Sequence, residues 1–332
     1  MSRSSDRVDR RRALALMLLA AATPFAVHAQ SAAAYPNRPI KLVVSFPGGV
    51  TDSIARVLAE NIGQQLGTPV VVEARAGAGG GIGAKYVSSA PADGYTILLG
   101  STSLVSNQVL HLQPEVDATR DLTAIAPAVS MPYVLVVNDK KPWRTLQELL
   151  GSARATPGKL NYSSNGTGTG PHFMGELLNT AAGIKTQHIP YKGGAEQINS
   201  LLAGDVDYAF VSLVTAVPQI ASGRLRGLAV TSAVRASTLK NVPTLAEQGL
   251  SSVPPVTTWF ALFGPANLPA HLRDLLAQQI RIAVAAPVMQ RMVGEWGASV
   301  DTGSTSDLQA LLRREQALWT GVAQTAGLNS QL

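Results

Sequence analysis

Ile40-Lys-Leu-Val-Val-Ser-Phe-Pro-Gly-Gly-Val-Thr-Asp52 is an aliphatic, β-branched run that breaks at Pro47-Gly48-Gly49. Helical spacing follows over 52–65, where Ile54, Val57, Leu58 and Ile62 share one face. The pattern of strand, turn and helix recurs along the chain. Further strands are expected at 69–73, 95–99, 133–137, 160–162, 186–190, 208–211, 225–231 and 258–263. Further helices are expected at 81–89, 146–155, 170–182, 194–203, 270–285 and 306–326. Alternation of this kind predicts an α/β protein with parallel sheets and helices on both faces, doubly wound. Residues 127–132 read as a crossing into a second unit, and Ser251-Ser-Val-Pro-Pro255 as a linker back. The expected organisation is therefore lobe 1 from 30–132 plus 257–332, and lobe 2 from 133–256. Two connections between such lobes make a hinged cleft.

The N-terminus reads as an export signal. Arg10, Arg11 and Arg12 form a positive region, and 13–27 is a 15-residue apolar run interrupted only by Thr23 and Pro24. Val27-His28-Ala29 places compact residues before a cleavage point at Ala29-Gln30. A spanning helix needs about 20 apolar residues, so residues 1–29 are expected to be removed as a signal peptide. The arginine pair leaves the twin-arginine and general secretory routes both open. The expected location is the periplasm. No cysteine stands at the cleavage point to carry a lipid, and the chain has none elsewhere for a disulfide or a thiol nucleophile.

Cleavage would leave 303 of 332 residues, long enough for two domains. It would remove five arginines and two aspartates, taking the net charge from +6 to +3. No Lys/Arg run follows Arg12, which argues against nucleic acid as a partner. Charged residues make up 14% where about a quarter is usual, and this suits a well-buried α/β chain.

Ligands of open α/β sheets sit beyond the carboxyl ends of strands, where helix N-termini present free N–H groups. Three strand ends fit. In the first, Phe46 to Asp52, Gly48 and Gly49 let backbone approach a ligand, and Thr51 or Asp52 can cap the next helix. In the second, Ser101, Thr102 and Ser103 bring three hydroxyls to one strand end. In the third, Ser163-Ser-Asn-Gly-Thr-Gly-Thr-Gly-Pro-His172, glycines alternate with Thr167 and Thr169 and expose donors just before a helix. The third is not a P-loop, since no Lys-Ser or Lys-Thr follows its glycines. Residues 77–83 lack the G-x-G-x-x-G spacing because position 82 is Ile82, and they read as structural. Enzyme constellations are thin: there is no G-x-S-x-G and no H-E-x-x-H. His111, His172, His188 and His271 are scattered without metal-ligand spacing, and neither a metal nor a cofactor is expected. His172 either touches a ligand or packs locally. Phe46 either stacks on an aromatic ligand or packs at its strand end.

A family resemblance joins these pieces. It rests on Tyr35-Pro-Asn-Arg-Pro-Ile40, Gly48-Gly49 with Asp52 and Ala55-Arg56, Val71-Val-Glu73 with Gly77-Ala-Gly79, and Ala92-Asp-Gly-Tyr-Thr96. It continues through Gly166, Gly168-Thr169, His172 and Glu176, then Ile189-Pro-Tyr-Lys-Gly193, then Gly223 with Leu225-Arg226 and Leu228-Ala-Val-Thr231. The last members are Val242-Pro-Thr244 with Glu247 and Gly249. In this order and spacing the chain resembles the Bug family, the TctC-like periplasmic receptors of tripartite tricarboxylate transporters, over nearly all of its mature length. The resemblance implies a type II periplasmic-binding-protein fold, two lobes closing as a Venus flytrap on a small carboxylate. Gly48 to Asp52 and Ser101 to Ser103 would form one wall. Thr167 to Thr169, Asp207 and the Ser212 region would form the other. Asp207, acidic beside an anion, holds a water or a ligand amino group, or caps a turn.

One departure stands out. The family usually has Pro before the Phe and one more residue before the glycine pair. Here Ser45 precedes Phe46 and Pro47 runs directly into Gly48, so the first loop is shorter. The resemblance further implies a monomer that delivers its cargo to membrane transporter subunits. Two other readings remain at this point: a secreted α/β hydrolase using a loop serine, and a binding protein that feeds a sensor.

Overall fold

The structure, a computed structural model, describes residues 35–110 and 115–328. The export signal and His111 lie outside these residues. The chain divides after Asn37, and the described helices and strands lie in the unit from Arg38 onward.

Its first half is built as the opening stretch of sequence dictates. Strand β1 (Ile40–Val44) leads into helix α1 (Gly49–Leu66), which buries Ile54, Ala55, Leu58, Ala59 and Ile62 and stops where Gly67 takes a left-handed φ of 62°. Then come β2 (Val70–Ala74), α2 (Gly81–Ser88), β3 (Thr96–Ser101) and α3 (Ser103–Leu110). A long strand, β4 (Leu122–Asn138), carries the chain into α4 (Leu146–Ala155), β5 (Asn161–Ser164), α5 (Gly170–Ala182), β6 (Gln187–Pro190) and α6 (Gly194–Ala203). After β7 (Tyr208–Ser212), α7 (Leu213–Ala221) and β8 (Leu225–Val230), strand β9 (Thr257–Pro265) returns the chain. Helices α8 (Ala270–Ala285) and α9 (Pro287–Glu295), the short β10 (Ser299–Val300) and α10 (Thr305–Thr325) complete the fold.

The strand order is β2-β1-β3-β9-β4-β7-β5-β6, with β8 and β10 also paired to β4. Parallel pairing is confined to β2-β1-β3 and to β7-β5-β6. The expected parallel sheets are present as these two three-stranded sets, joined through antiparallel strands that the sequence pattern did not show. Strands β4 and β9 are antiparallel to each other, and each is antiparallel to the three-stranded set beside it. Up to Pro132, β4 pairs with β9, and from Tyr133 it pairs with β7 and β8. One 17-residue strand therefore serves both parts of the sheet.

The first half of β4 is invisible to pattern reading because Pro127 and Pro132 look like breakers. Within a sheet, proline is tolerated at bulges. The pairing register slips between Pro127 and Val129, and Pro132 sits where the partner strand changes. Beyond that point side chains alternate between two cores. Val134 and Val136 join Leu201, Val211 and Val230. Tyr133, Leu135 and Val137 face Tyr162, Phe173 and Phe210. Burial on both faces explains why this part of β4 is continuously apolar.

Candidate functional site

The carboxyl ends of β1, β3, β5 and β7 carry the loops of interest. After β1 the chain makes Phe46 to Gly48 and enters α1 three residues earlier than expected. Thr51 and Asp52 therefore do not cap α1. The cap position is Gly48, which has no side chain to give, and Asp52 pairs instead with Arg56 one turn on at 2.7 Å. Gly48 and Gly49 have φ of 75° and 66°, with nothing within 4 Å of where a Cβ would stand. Ser45 donates its hydroxyl to Gly80 O at 3.1 Å. Phe46 packs its ring on Gly80: a Cβ there would lie 3.3 Å from the Phe46 ring.

The three hydroxyls after β3 divide. Thr102 is buried, and its Oγ1 accepts from the Trp259 backbone N–H at 3.3 Å, tying the loop to β9. Ser101 and Ser103 instead line a cavity of about 10 Å³ with Ser45, Phe46, Gly80 and Leu104. That is room for about one water molecule.

The loop after β5 is braced from behind. Ser164 Oγ accepts from Gly166 N–H at 3.1 Å and lies 2.6 Å from His188 Nε2. Thr169 Oγ1 donates to Gly166 O at 2.6 Å, and Gly168 N–H donates to His172 Nδ1 at 3.2 Å. His172 thus carries its proton on Nε2 when neutral, an assignment set by this bond. Its ring stacks on His188 with centroids 3.9 Å apart, and His188 stacks in turn on Tyr162. Tyr162 donates to Glu176 Oε1 at 2.6 Å. Burial pushes His172 down to about 4; burial, and then the nearby His172, push His188 down to about 3. Both rings are neutral at neutral pH. From the front, Tyr133 Oη closes directly on Gly170, where α5 begins. Burial raises the pKa of that phenol well above the usual tyrosine value, so it keeps its proton.

This geometry revises the donor inventory. The N–H groups of Gly166, Gly168 and Thr169 are committed within the loop. Thr169 and His172 are buried and hold the loop's shape, whereas Thr167 is exposed on its outer side. Helix α5 starts with no side-chain cap at Thr169, and α7 starts likewise at Ser212, whose hydroxyl meets Thr215 at 3.0 Å. Ser212 pairs in register with Tyr133 and lies at the same sheet end as Ser164.

Asp207 does not join this group. It precedes β7, at the opposite end of the strand from Ser212. It accepts from Lys141 Nζ at 2.6 Å and from Asn161 N–H at 2.9 Å, so it locks the starts of β5 and β7 together. Its place directly before the strand expected at 208–211 already puts it at the amino end, away from the carboxyl ends where ligands of such sheets sit.

Residues that sequence reasoning missed are Ser106, Asn107, Tyr133, Ser164 and His188. Ser106 Oγ donates to Gly168 O at 2.7 Å across 62 positions of sequence. Recognising α3 as a helix would have placed Ser106 one turn beyond Thr102. No local signal could have paired His172 with His188. Among the described residues no group of His, Asp and Glu could hold a metal ion.

The chain matches the model of the tripartite tricarboxylate transporter family receptor (TctC) over residues 54–328. It is 34% identical to the protein BugT of Bordetella pertussis, over 90% of this chain and 92% of that one. The fold superimposes on the periplasmic binding protein BugD with a TM-score of 0.81 at 32% identity, covering 89% of this chain and 99% of BugD. An R. palustris protein solved with adipate gives 0.82 at 32% identity, covering 88% and 98%. MatC from Rhodopseudomonas palustris, with bound malate, gives 0.80 at 27% identity, covering 87% and 99%.

Proposed function

We propose that this chain, which belongs to the tripartite tricarboxylate transporter receptor family, captures a small organic dicarboxylate and delivers it to the membrane subunits of a tripartite tricarboxylate-type transporter. Members of the family are periplasmic solute-binding proteins and the chain is not an enzyme, so the loop-serine hydrolase reading falls. The family implies a periplasmic location, and among the described residues no helix is long and apolar enough to cross a membrane. Removal of residues 1–29 as a signal peptide and a monomeric receptor are part of the same proposal.

The observation that carries the ligand class is the loop 164–170. It is held in shape by Ser164, Thr169 and His172, and it ends at an uncapped helix N-terminus. A helix N-terminus favours an anion by about 0.3–1 kcal/mol when exposed and up to about 2 when partly buried. Opposite it, the loops after β1 and β3 offer the uncapped start of α1 and the Ser101 and Ser103 hydroxyls. Two such walls suit a ligand with a carboxylate at each end, the chemistry of the adipate and malate seen in the two related structures. Closure that excludes water strengthens each charge-assisted bond, and a few of them reach micromolar affinity, about −8 kcal/mol. The walls are assigned to two lobes, 30–132 plus 257–332 and 133–256, hinged where β4 changes partner at Pro132 and β9 begins opposite it.

The test uses the protein exported to and purified from the periplasm, with mono-, di-, tri- and aromatic carboxylates in thermal shift. A hundredfold excess over Kd stabilises the folded state by about 2.7 kcal/mol. A clear rise with dicarboxylates, the acid being recovered unchanged, is expected. No rise across the panel overturns the reading. A mature N-terminus at Gln30 checks the export step.

A further inference from the structure

Residues 77–80, part of the glycine-rich stretch 77–83 read from sequence as structural, meet the braced loop through one side chain. Asn107 on α3 donates from Nδ2 to Ala78 O at 2.9 Å. Its carboxamide then fills the space beside two glycines. A Cβ on Gly79 would lie 3.3 Å from Asn107 Oδ1 and 3.3 Å from Thr167 O. A Cβ on Gly168 would lie 2.7 Å from Asn107 Oδ1. Both glycines are left-handed, with φ of 59° and 79°. Next to Asn107, buried Ser106 anchors Gly168 O at 2.7 Å. The turn follows β2 in one parallel set of strands, and the loop follows β5 in the other.

We propose that Asn107 is a specificity-determining spacer: it sets the separation between the glycine turn and the loop 166–169, and so the length of dicarboxylate that fits between the two walls. This rests on the receptor reading above. The spacer works through direct contact. An added Cβ on Gly79 or Gly168 would press on the Asn107 carboxamide, and that carboxamide is hooked to Ala78 O on one side. The turn passes the spacing on to the first wall, because Gly80 is bonded to Ser45 and packed under Phe46. Asn107 is a positioning residue in this scheme and need not touch the ligand.

The experiment is calorimetric titration of the exported wild-type protein, Asn107→Ala and Asn107→Gln with linear α,ω-dicarboxylates of four to eight carbons. A misfitted methylene in a shaped pocket is worth about 10- to 200-fold. The expected result is that the ratio of Kd values for the four- and six-carbon acids moves by about tenfold or more in at least one variant, while the ligand-free melting points stay close to wild type. If Asn107→Ala does not fold, Asn107→Gln, which keeps a carboxamide one methylene farther out, supplies the same ratio. Uniform weakening of every acid, or no change, overturns the spacer and leaves the receptor reading in place. A wild-type protein that binds none of the acids removes the receptor reading, and the spacer with it.

Discussion

The loop after β1 and the loop after β5 look alike in sequence, each a glycine-bearing link from a strand to a helix, yet they are built in opposite ways. The first has Gly48 and Gly49 in open space, no side-chain cap on α1, and Asp52 turned to Arg56. The second is held at several points. Ser164, Thr169 and His172 hold its backbone from within, Ser106 and Asn107 from the side, and Tyr133 closes on Gly170. On the proposed function, this contrast gives the two walls different tasks. A preformed wall receives a carboxylate without first ordering itself, whereas an open one adapts as the cleft shuts.

The sharpest way to break this contrast is to put a methyl group into each loop. Gly168→Ala combines a left-handed φ with a collision against Asn107 and Leu110, and is expected to destabilise by about 2–4 kcal/mol. Gly49→Ala meets nothing and carries the backbone strain alone, about 1–2 kcal/mol. Urea unfolding of the two variants measures both; equal losses would mean that the loops are equally braced.

Acid should act on the second loop and spare the first. His172 and His188 are held neutral in the folded state while the unfolded chain titrates near 6.5, so the unfolded state binds more protons below that pH. Stability is therefore lost as pH falls from about 6.5 towards 4, by up to about 3 kcal/mol for His172. Protonated Nδ1 can no longer accept from Gly168. Buried Glu315, raised to about 7 by desolvation, works in the other direction: its contribution is present below the usual carboxylate range and is lost as pH rises towards 7. The comparison that isolates the histidine is the difference in stability between wild type and His172→Gln at pH 5 and pH 7.5. That difference should narrow at pH 5.

A smaller effect is expected from Thr169→Val, which removes the hydroxyl bond to Gly166 O while keeping the shape. About 1 kcal/mol is expected in chemical unfolding, with weaker carboxylate binding. Smallest is Arg56→Ala in α1, behind the first loop. An exposed i,i+4 ion pair is worth about 0.3–0.5 kcal/mol, so the melting point should barely move. Anion binding at low salt should nevertheless weaken, because Asp52 loses its counter-charge.

Much of the framework is legible in the order of residues alone. Helices α4, α5, α6 and α8 occupy the spans their periodicity gives, because their ends carry chemical stops. Thr145 and Glu148 form a reciprocal capping box, and Gly183 and Gly204 turn left-handed at helix ends. Helices α3, α7 and α9 are not legible. Each has only eight or nine residues, few for a period to register, although the equally short α2 is legible, and α7 contains Pro218. The strand ends bearing Gly48, Ser101 and Thr167 are legible as loops, since glycines and hydroxyls after apolar runs mark such ends. Which of their donors remain open is not, because that depends on partners far away in the chain.

The sequence by itself determined the α/β class, the family and the boundaries of α4, α5, α6 and α8, all of which follow from local periodicity, stop signals and ordered motifs. Only the tertiary structure decided that Asp207 ties β7 to Lys141 and Asn161, that His172 stacks on His188 behind the loop, and that Asn107 stands between Gly79 and Gly168. These relations join residues tens of positions apart. They are set by how strands pair and helices pack, a level at which a residue's neighbours in space are no longer its neighbours in sequence.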